Sequence, residues 1–375
     1  MATISDFLQI LKVQHPIFQA PLAGGGDTPE LVAAVSNAGG LGFIGAAYLS
    51  PEQMAEVARV VKSKTTRPFG INLFAPSTPN PASISPDIAM QRIAPYFAEL
   101  GIPAPSLPSG PSFTFSHQLA AALETGASAF SFTFGLLPSE AMQSLKQKGI
   151  FVLGTATTVN EAVELETAGV DAVVAQGSEA GGHRGTFRGD FSASMIGTIS
   201  LVPQVVDAVR IPVIASGGIM DGRGIAAALA LGASAVQLGT AFLTCKESGI
   251  PEVYRQAILS AREDRTRLTR AFSGRPARGI VNRFMTEVES GGNQEAILPF
   301  PLQNALTRPL RTAAAKSGRA EFLSLWAGQG VRMARRQSAA ELMARLVKET
   351  EAAIHGLQGI HSHESTPSKS GAATD

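Results

Sequence analysis

Short apolar runs alternate with longer amphipathic stretches along most of the chain, from residue 17 to about residue 245. The runs are almost continuously hydrophobic, which is typical of parallel strands buried on both faces. The stretches between them have helical spacing and end near glycine or a turn. The eight runs are IFQAP (17–21), LGFIGA (41–46), FGINLF (69–74), SAFSFTF (128–134), IFVLGT (150–155), DAVVAQG (171–177), IPVIASGG (211–218) and SAVQLGT (234–240).

This alternation predicts a parallel sheet closed into a (β/α)8 TIM barrel. A doubly wound open sheet is the other architecture that the pattern allows.

Local signals mark two helix starts. Thr28 before Pro29 predicts an N-cap, and Ser50 with Gln53 three residues later predicts a capping box.

The length of the chain predicts more than a barrel. A barrel of this kind commonly takes about 250 residues, whereas the chain has 375. We expect residues 1–244 to form the barrel, with a Pro- and Ser-rich excursion at 75–112 that contains one short helix. Residues 245–320 interrupt the alternation and predict a smaller, mainly helical second lobe, which would serve as a lid or substrate lobe. Residues 321–355 predict a helical segment that returns to the barrel, and the polar tail 356–375 is predicted to be disordered.

Charge and cysteine content exclude several classes of protein. The chain has 31 Lys and Arg against 30 Asp and Glu, so its formal net charge is +1. It therefore lacks the basic surface typical of proteins that bind nucleic acid or acidic membranes. A single cysteine, Cys245, excludes a disulfide framework and favours a cytoplasmic setting. Neither a signal peptide nor an apolar stretch of about 20 residues is evident, so no membrane contact is expected.

One glycine motif is interpreted as packing. Gly40, Gly42 and Gly45 match the spacing of the dinucleotide fingerprint GxGxxG. That fingerprint needs a strand before it and a helix after it, whereas here a helix precedes the glycines and a predicted strand contains them. We therefore expect these glycines to allow close packing of a helix on a strand.

Glycines at the ends of the sixth, seventh and eighth runs are the first sign of a binding site. In a barrel these ends meet on one rim, where phosphate is often bound after strands seven and eight. Glycine lets backbone N–H groups approach an anion closely. Gly217, Gly218, Gly239 and Thr240 therefore predict a phosphate-binding cup. The other interpretation is that these glycines only relieve crowding at the strand ends.

His183 is the strongest single candidate for chemistry, because it lies among glycines on a predicted rim loop. Histidine titrates near neutrality and suits proton transfer. A structural or merely exposed side chain is the other interpretation. His361 and His363 form a pair, but in the polar tail we interpret them as solvated, and no metal site is predicted.

Two amides, Asn72 and Gln176, lie within otherwise apolar strands, where each needs hydrogen-bond partners. A buried structural partner would satisfy them, and so would a planar heterocycle with alternating donors and acceptors. Together with a phosphate cup and an apolar barrel mouth, the amides favour flavin mononucleotide (FMN).

Several motifs taken together resemble the nitronate monooxygenase family, formerly called 2-nitropropane dioxygenases, and within it the bacterial class I branch. The most specific combination is AQGSEAGGHRGTF (175–187) with PVIASGGI (212–219) and QLGTAFL (237–243). The resemblance covers most of residues 15–245. Further matching segments are QAPLAGG (19–25), SNAGGLGFIGAAYLSPE (36–52), RPFGINLF (67–74), PFPLQNALT (299–307) and LWAGQG (325–330).

The resemblance implies roles for individual residues. It implies that His183 is the active-site histidine and that Gln329 closes over the flavin from the C-terminal segment. Two positions depart from the family pattern. Leu22 replaces a common Met, which we expect to be tolerated, and Phe300 stands where an aromatic hydroxyl is expected, which affects substrate orientation. The residues implied to contact the flavin are Ala20, Pro21, Leu22, Asn72, Gln176 and Gly181, and those implied to hold its phosphate are Gly217, Gly218, Gln237, Leu238, Gly239 and Thr240.

The activity implied by the resemblance is oxidation of alkyl nitronates, such as propionate 3-nitronate, by O2 to a carbonyl compound and nitrite. His183 would orient and neutralise the anionic nitro end, or deprotonate a neutral nitroalkane. The expected partners are a small nitronate and O2, and the oligomeric state stays open. Three other functions remain: an FMN-dependent NAD(P)H:quinone or enoyl-thioester reductase, a non-redox barrel lyase or synthase with a sugar phosphate in the cup, and a binding module without catalysis.

Overall fold

The computed structural model describes residues 3–76, 85–106, 113–290 and 296–358. Its strands are β1 (Ile17–Gln19), β2 (Gly42–Gly45), β3 (Phe69–Phe74), β4 (Ala129–Thr133), β5 (Phe151–Ala156), β6 (Ala172–Gln176), β7 (Gly182–His183), β8 (Val213–Ser216), β9 (Ala235–Leu238), β10 (Thr266–Thr269) and β11 (Ala277–Ile280). Its α-helices are α1 (Ile4–Leu11), α2 (Pro29–Asn37), α3 (Pro51–Lys64), α4 (Pro86–Glu99), α5 (Phe115–Glu124), α6 (Ser139–Gln147), α7 (Val159–Thr167), α8 (Thr198–Ala208), α9 (Gly222–Ala230), α10 (Thr240–Leu243), α11 (Glu252–Ser260), α12 (Arg283–Val288), α13 (Leu302–Ser317) and α14 (Ala339–Gln358).

Eight parallel strands form a barrel. Their order is β1-β9-β8-β6-β5-β4-β3-β2. The backbone N–H of Gln19 donates to the carbonyl of Leu41 at 3.0 Å, beside β2, so the two edges of the sheet meet. Each of the eight apolar runs coincides with one of these strands, with β5 ending one residue beyond its run, and the prediction of a (β/α)8 barrel is confirmed.

The predicted helix starts are present at α2 and α3. The Thr28 hydroxyl accepts the Leu31 N–H at 3.1 Å. The Ser50 hydroxyl accepts the Gln53 N–H at 3.2 Å, while the Gln53 amide oxygen accepts the Ser50 N–H at 2.9 Å. Both predictions are confirmed. These caps satisfy N–H groups that a helix start leaves unpaired, and they fix where the rim loops after β1 and β2 end.

The barrel interior is filled with apolar side chains near the N-terminal ends of its strands. These side chains form one hydrophobic cluster that includes the first residues of β4 and β6, Ala129 and Ala172. Phe151, the first residue of β5, packs against it. α1 adds Phe7, whose ring centroid lies 6.2 Å from that of Phe18. Because this end is packed, a ligand can enter the barrel only at the opposite, C-terminal rim.

A second hydrophobic core lies outside the barrel. Phe272 and Phe284 stack within it, with ring centroids 4.8 Å apart. α4, the helix of the 75–112 excursion, contributes Tyr96, whose ring centroid lies 5.1 Å from that of Phe284. The excursion helix thus packs with the second lobe. Residues 77–84 and 107–112 of the excursion lie outside the described residues.

Residues 245–320, the second lobe, contain α11, α12 and α13 and also two strands of an antiparallel sheet that the sequence pattern did not predict. Its order is β10-β11-β7. β11 pairs with β10 on one edge and with β7 on the other, where Ala277 lies opposite His183. β10 is partly exposed and β7 has two residues, so no run of apolar side chains marks either strand. The sheet joins the rim loop after β6 to the lobe.

The C-terminal segment packs back against the barrel helices. α14 lies against α9 and α2, and Glu349 accepts the Gly222 N–H at 3.1 Å at the start of α9. α14 continues to Gln358, beyond the boundary expected at residue 355. The remainder of the predicted tail, 359–375, lies outside the described residues. No helix in the described ranges combines the length and apolarity needed to cross a membrane.

Within the GxGxxG motif, Gly42 allows α2 to pack closely on β2. A Cβ at Gly42 would lie 2.4 Å from the carbonyl oxygen of Val32 and 2.8 Å from its Cα. A Cβ at Gly40 would lie 2.6 Å from the carbonyl oxygen of Ile17. The interpretation as helix–strand packing is confirmed at Gly42, whereas a Cβ at Gly45 would lie 2.6 Å from the backbone N of Ala23, in the loop after β1.

We predict that Gly42→Ala destabilises the fold by about 1–3 kcal/mol or more, because the added methyl meets backbone that cannot rotate away. The measurement is the urea unfolding midpoint. The matched control is Gly356→Ala in α14, where a Cβ meets nothing within 4 Å. That exchange should be neutral or stabilising by about 0.5–1 kcal/mol. Equal midpoints for wild type and Gly42→Ala would contradict the packing argument.

Candidate active site

One cavity of about 980 Å³ lies at the C-terminal ends of the barrel strands, where the second lobe meets the rim. All but one of the residues predicted from the sequence line it. They come from the ends of β1, β3, β6, β8 and β9 and from β7. They are Ala20, Pro21, Leu22, Asn72, Gln176, Gly181, His183, Gly217, Gly218, Gln237, Leu238, Gly239 and Thr240.

Gln329 is the residue that the structure does not bring to this cavity. Its neighbours Gly328 and Gly330 line the cavity, and its backbone N–H donates to the carbonyl of Glu179 at 2.9 Å. Gln329 itself lines a separate pocket of about 400 Å³ that includes Arg223. The LWAGQG motif (325–330) indicated that this segment crosses the rim. It did not indicate which of its residues face the cavity and which face away from it.

The glycines after β8 form a backbone cradle. Gly217 and Gly218 have φ angles of 125° and 70°, in the region that favours glycine. The Thr198 hydroxyl lies 3.0 Å from the carbonyl oxygen of Gly217 and 2.8 Å from the Glu179 carboxylate, and it thus links this turn to the loop after β6. Thr240 accepts the Gly328 N–H at 3.0 Å through its hydroxyl oxygen, which leaves the hydroxyl hydrogen available to a ligand. The cradle thus offers N–H and O–H donors without a charged side chain.

The two strand amides have different surroundings. Asn72 donates to the carbonyl and hydroxyl oxygens of Ser131 at 3.1 and 2.9 Å, so its own carbonyl oxygen remains an acceptor for a ligand. Gln176 donates to the carbonyl of His183 at 3.0 Å and accepts N–H donors from Arg184 and Gly185 at 3.1 and 2.8 Å. Gln176 therefore holds the rim loop, which corresponds to the structural interpretation of that amide.

Four aromatic rings surround the imidazole of His183. The centroid distances are 6.5 Å to Phe74, 5.7 Å to Phe134, 5.8 Å to Phe300 and 5.7 Å to Trp326. Phe300 therefore still contacts the histidine although it lacks the hydroxyl expected at its position. The rings shield much of the imidazole from water, its Nε2 included, although His183 as a whole is half-buried because it lines the cavity.

The charge state of His183 follows from these surroundings. Burial, with a smaller contribution from the positive charges of Arg275 and Arg311, lowers the pKa of His183 to about 3. Its Nε2 is buried and has no hydrogen-bond partner among the described residues. The imidazole is thus neutral at neutral pH, so it does not supply the positive charge that would neutralise an anion.

Sequence reasoning missed Asp27, which also lines the cavity. Its carboxylate accepts the N–H groups of Leu22 and Gly45 at 2.8 and 2.6 Å, which ties the loop after β1 to β2. Burial raises the pKa of Asp27 to about 7. The sequence signal that could have identified Asp27 was its position directly after three glycines, Gly24 to Gly26, which follow the first apolar run.

Sequence reasoning also missed the cations that α13 presents to the cavity. Asn304, Arg308 and Arg311 all line it, and their spacing of four and three residues places them on one helical face. Arg311 donates to the backbone and side-chain oxygens of Asn304 at 2.8 and 2.9 Å rather than to a carboxylate. The guanidinium of Arg308 lies 5.2 Å from the ring centroid of Tyr48. This face makes the lobe side of the cavity electropositive.

The fold and the cavity define a class of protein, a barrel whose rim and second lobe enclose a site for a small molecule. A family profile described as nitronate monooxygenase matches residues 5–349. The chain belongs to the nitronate monooxygenase family and is an oxidoreductase, as the motif resemblance predicted.

Individual relatives agree with this assignment. The chain is 44% identical over 350 residues to a probable nitronate monooxygenase of Staphylococcus haemolyticus, with 92% of this chain and 97% of the relative covered. A probable nitronate monooxygenase of Staphylococcus saprophyticus is 43% identical over 342 residues, with 91% and 96% covered. Among solved structures, nitroalkane oxidase from Streptomyces ansochromogenes has a TM-score of 0.87 at 43% identity, with 94% and 99% covered. FabK from Thermotoga maritima has a TM-score of 0.74 at 30% identity, with 96% and 99% covered.

We predict that Asp27→Asn changes the pH dependence of stability. The folded protein holds a proton on Asp27 up to a pKa of about 7, whereas the unfolded chain releases it near the ordinary value of 3.8. Stability from this group is therefore present below about pH 4 and lost as the pH rises through 7. Relative to wild type, Asp27→Asn should gain on the order of 1 kcal/mol or more between these pH values.

The measurement is the urea midpoint of both proteins from pH 4 to pH 8. Asp190→Asn is the control. Hydrogen bonds from Ser192 lower the pKa of the exposed Asp190, so its contribution is lost on acidification and its pH trend has the opposite sign. A stability difference between wild type and Asp27→Asn that does not vary with pH would contradict the assignment.

Proposed function

We propose that the protein is an FMN-dependent nitronate monooxygenase that oxidises alkyl nitronates with O2 to a carbonyl compound and nitrite. Membership of the family carries the proposal most directly. The name of a structural relative at 43% identity, nitroalkane oxidase, agrees with chemistry at a nitro-bearing carbon. The observation from the structure that supports it is the grouping of the rim donors, Asn72 and His183 in one cavity with an electropositive wall.

The residues around the cavity fit FMN. A phosphate would accept N–H groups from the turn at Gly217 and Gly218, where the positive φ angles exclude most side chains. Thr240 would add its hydroxyl as a donor. Asn72 would accept from a ring N–H through the carbonyl oxygen that Ser131 leaves free. The apolar wall at Leu22 would pack against the isoalloxazine, and this agrees with a tolerated exchange of Met for Leu.

Bound FMN would supply electron transfer between the nitronate and oxygen. The side chains of the protein bind and orient the substrate. Arg308 and Arg311 attract the anionic nitronate into the cavity, while the rings around His183 exclude water. Since His183 is neutral, it orients the nitro end through a hydrogen bond or accepts a proton from a neutral nitroalkane. The arginines, rather than the histidine, balance the negative charge.

The domains would divide this work. The barrel, residues 1–244, would hold the flavin on its rim. The lobe, residues 245–320, would act as the lid that contributes substrate contacts, since its helix α13 lines the cavity. The segment 321–355 would complete the wall through Gly328 and Gly330. A small nitronate and O2 would be the only partners needed for turnover.

We predict that the purified protein releases nitrite and consumes O2 when it is given a fresh alkyl nitronate in air. His183→Ala should lower kcat/KM by about 10²-fold or more, because substrate orientation and proton transfer are lost. The matched control is His355→Ala, which removes an exposed histidine of α14 and should leave kcat/KM unchanged.

Adding NADH to the same protein distinguishes the proposed monooxygenase from the alternative, an NAD(P)H-dependent reductase. An NAD(P)H-dependent reductase would bleach its flavin under anaerobic conditions when NADH is added without a second substrate, and it would release no nitrite from a nitronate. Bleaching by NADH combined with the absence of nitrite would overturn the proposal. A colourless protein would overturn the assignment of FMN.

We predict that Thr240→Val weakens FMN binding by about tenfold or more, since a hydrogen bond to a charged group contributes about 1.5–3 kcal/mol. The measurement is quenching of FMN fluorescence on titration of the flavin-free protein. Thr312→Val is the control, because Thr312 lines the cavity from α13 and not from the barrel rim. Equal FMN affinities for Thr240→Val and wild type would show that this hydroxyl does not hold the phosphate.

A further inference from the structure

The loop that carries His183 is anchored on its barrel side by two polar side chains. Gln176 donates to the carbonyl of His183 at 3.0 Å. Further along, the fully buried carboxylate of Glu161 accepts the N–H groups of Phe187 and Arg188 at 2.6 and 2.9 Å. These contacts fix the two ends of the segment 183–188, and its middle lies against the second lobe.

Arg275 holds the middle of this segment from the lobe. Its guanidinium donates to the carbonyl of Arg184 at 3.3 Å and to the carbonyl of Thr186. The next lobe residue, Pro276, accepts the Arg184 N–H at 2.9 Å. The same guanidinium lies 3.8 Å from the ring centroid of Phe134, one of the rings around His183. One side chain therefore contacts both the histidine loop and the aromatic surroundings of the imidazole.

We propose that Arg275 is a positioning residue for His183: from the second lobe it fixes the loop that carries the imidazole and places a positive charge beside it. The proposal rests on the proposed function, because it explains the position of Arg275 by what the imidazole needs in order to act on the substrate. A neutral imidazole keeps a lone pair, which it needs in order to accept a proton or a hydrogen bond from the substrate. A cation held close by the loop opposes protonation of that lone pair.

The charges around the imidazole agree with this role. Its neighbouring rings, Phe74, Phe134, Phe300 and Trp326, carry no charge, and the two ionised groups that act on it are Arg275 and Arg311, both positive. Arg275 donates to backbone carbonyls rather than to a carboxylate, and the buried carboxylate of Glu161 favours its charged form. Burial lowers the pKa of Arg275 to about 10, which still leaves it protonated at neutral pH.

The test separates the charge of Arg275 from its hydrogen bonds. Arg275→Lys keeps the charge and loses the planar fork, whereas Arg275→Gln keeps a donor and loses the charge. Arg188→Met is the control, because Arg188 lies on the same loop but is exposed and paired with Glu164. Each holoenzyme is labelled with ¹⁵N-histidine, and the His183 imidazole is followed by NMR from pH 8 to pH 4, with its signal assigned by comparison with His183→Gln.

The wild type, Arg275→Lys and Arg188→Met should keep His183 essentially neutral over this range. In Arg275→Gln the pKa of His183 should rise by about one unit or more, so that its protonated form becomes prominent by pH 4. With a nitronate as substrate at neutral pH, where His183 stays neutral in every variant, Arg275→Gln should lose about tenfold or more in kcat with a smaller change in KM, because the amide no longer holds both loop carbonyls. Arg275→Lys should restore part of that loss.

Identical titrations of His183 in Arg275→Gln and wild type, together with unchanged kcat, would overturn the proposal. If Arg275→Gln loses its flavin or its fold and Arg275→Lys does not, the titration of His183 in Arg275→Lys decides. A titration that matches wild type would support the role of the charge, and one that differs would overturn it. The NMR titration needs no turnover. A protein that releases no nitrite would therefore contradict the proposed function and leave the test of Arg275 intact.

Discussion

The pairing of β7 with β11 is the interaction on which the site depends. Through it, Gly182 and His183 of a barrel loop become the edge strand of a sheet that belongs to the second lobe. Main-chain pairing allows little freedom of register, since a shift of one residue would turn each side chain to the other face. The position of His183 is therefore set jointly by the barrel and the lobe, and the lobe is part of the site rather than an attachment to it.

The barrel and the second lobe contribute different kinds of polar group to the site. The barrel rim contributes backbone N–H groups, hydroxyls and amides, whereas the lobe contributes the arginines, including Arg275 and Arg311. Aromatic rings from both parts surround His183 and shield it from much of the water, which strengthens the effect of nearby charges on its protonation. A histidine that sequence reasoning treats as a group that titrates near pH 7 thus becomes a neutral side chain in a positive environment.

Local signals explain which predictions succeeded. Buried parallel strands are marked by continuous apolar runs, and the caps at Thr28 and Ser50 depend on residues within three positions of each other. Gly42 could be interpreted because its neighbours in the chain define the helix that packs on it. By contrast, β7 has two residues and β10 is partly polar, so the lobe sheet has no local pattern. β10 lies close to β11 in the chain, but β7 pairs with β11 from a barrel loop that is remote in the sequence.

The sequence by itself determined the barrel, the order of its loops and the group of residues that those loops bring to one rim, because these follow from periodicity and from the parallel arrangement of strands. Tertiary structure alone decided how individual polar groups are used. Gln176 holds a loop, Gln329 lines a different pocket, Asp27 carries a pKa of about 7 and His183 one of about 3. The physical reason is that hydrogen-bond partners and desolvation depend on distances between segments remote in the chain, which no local pattern encodes.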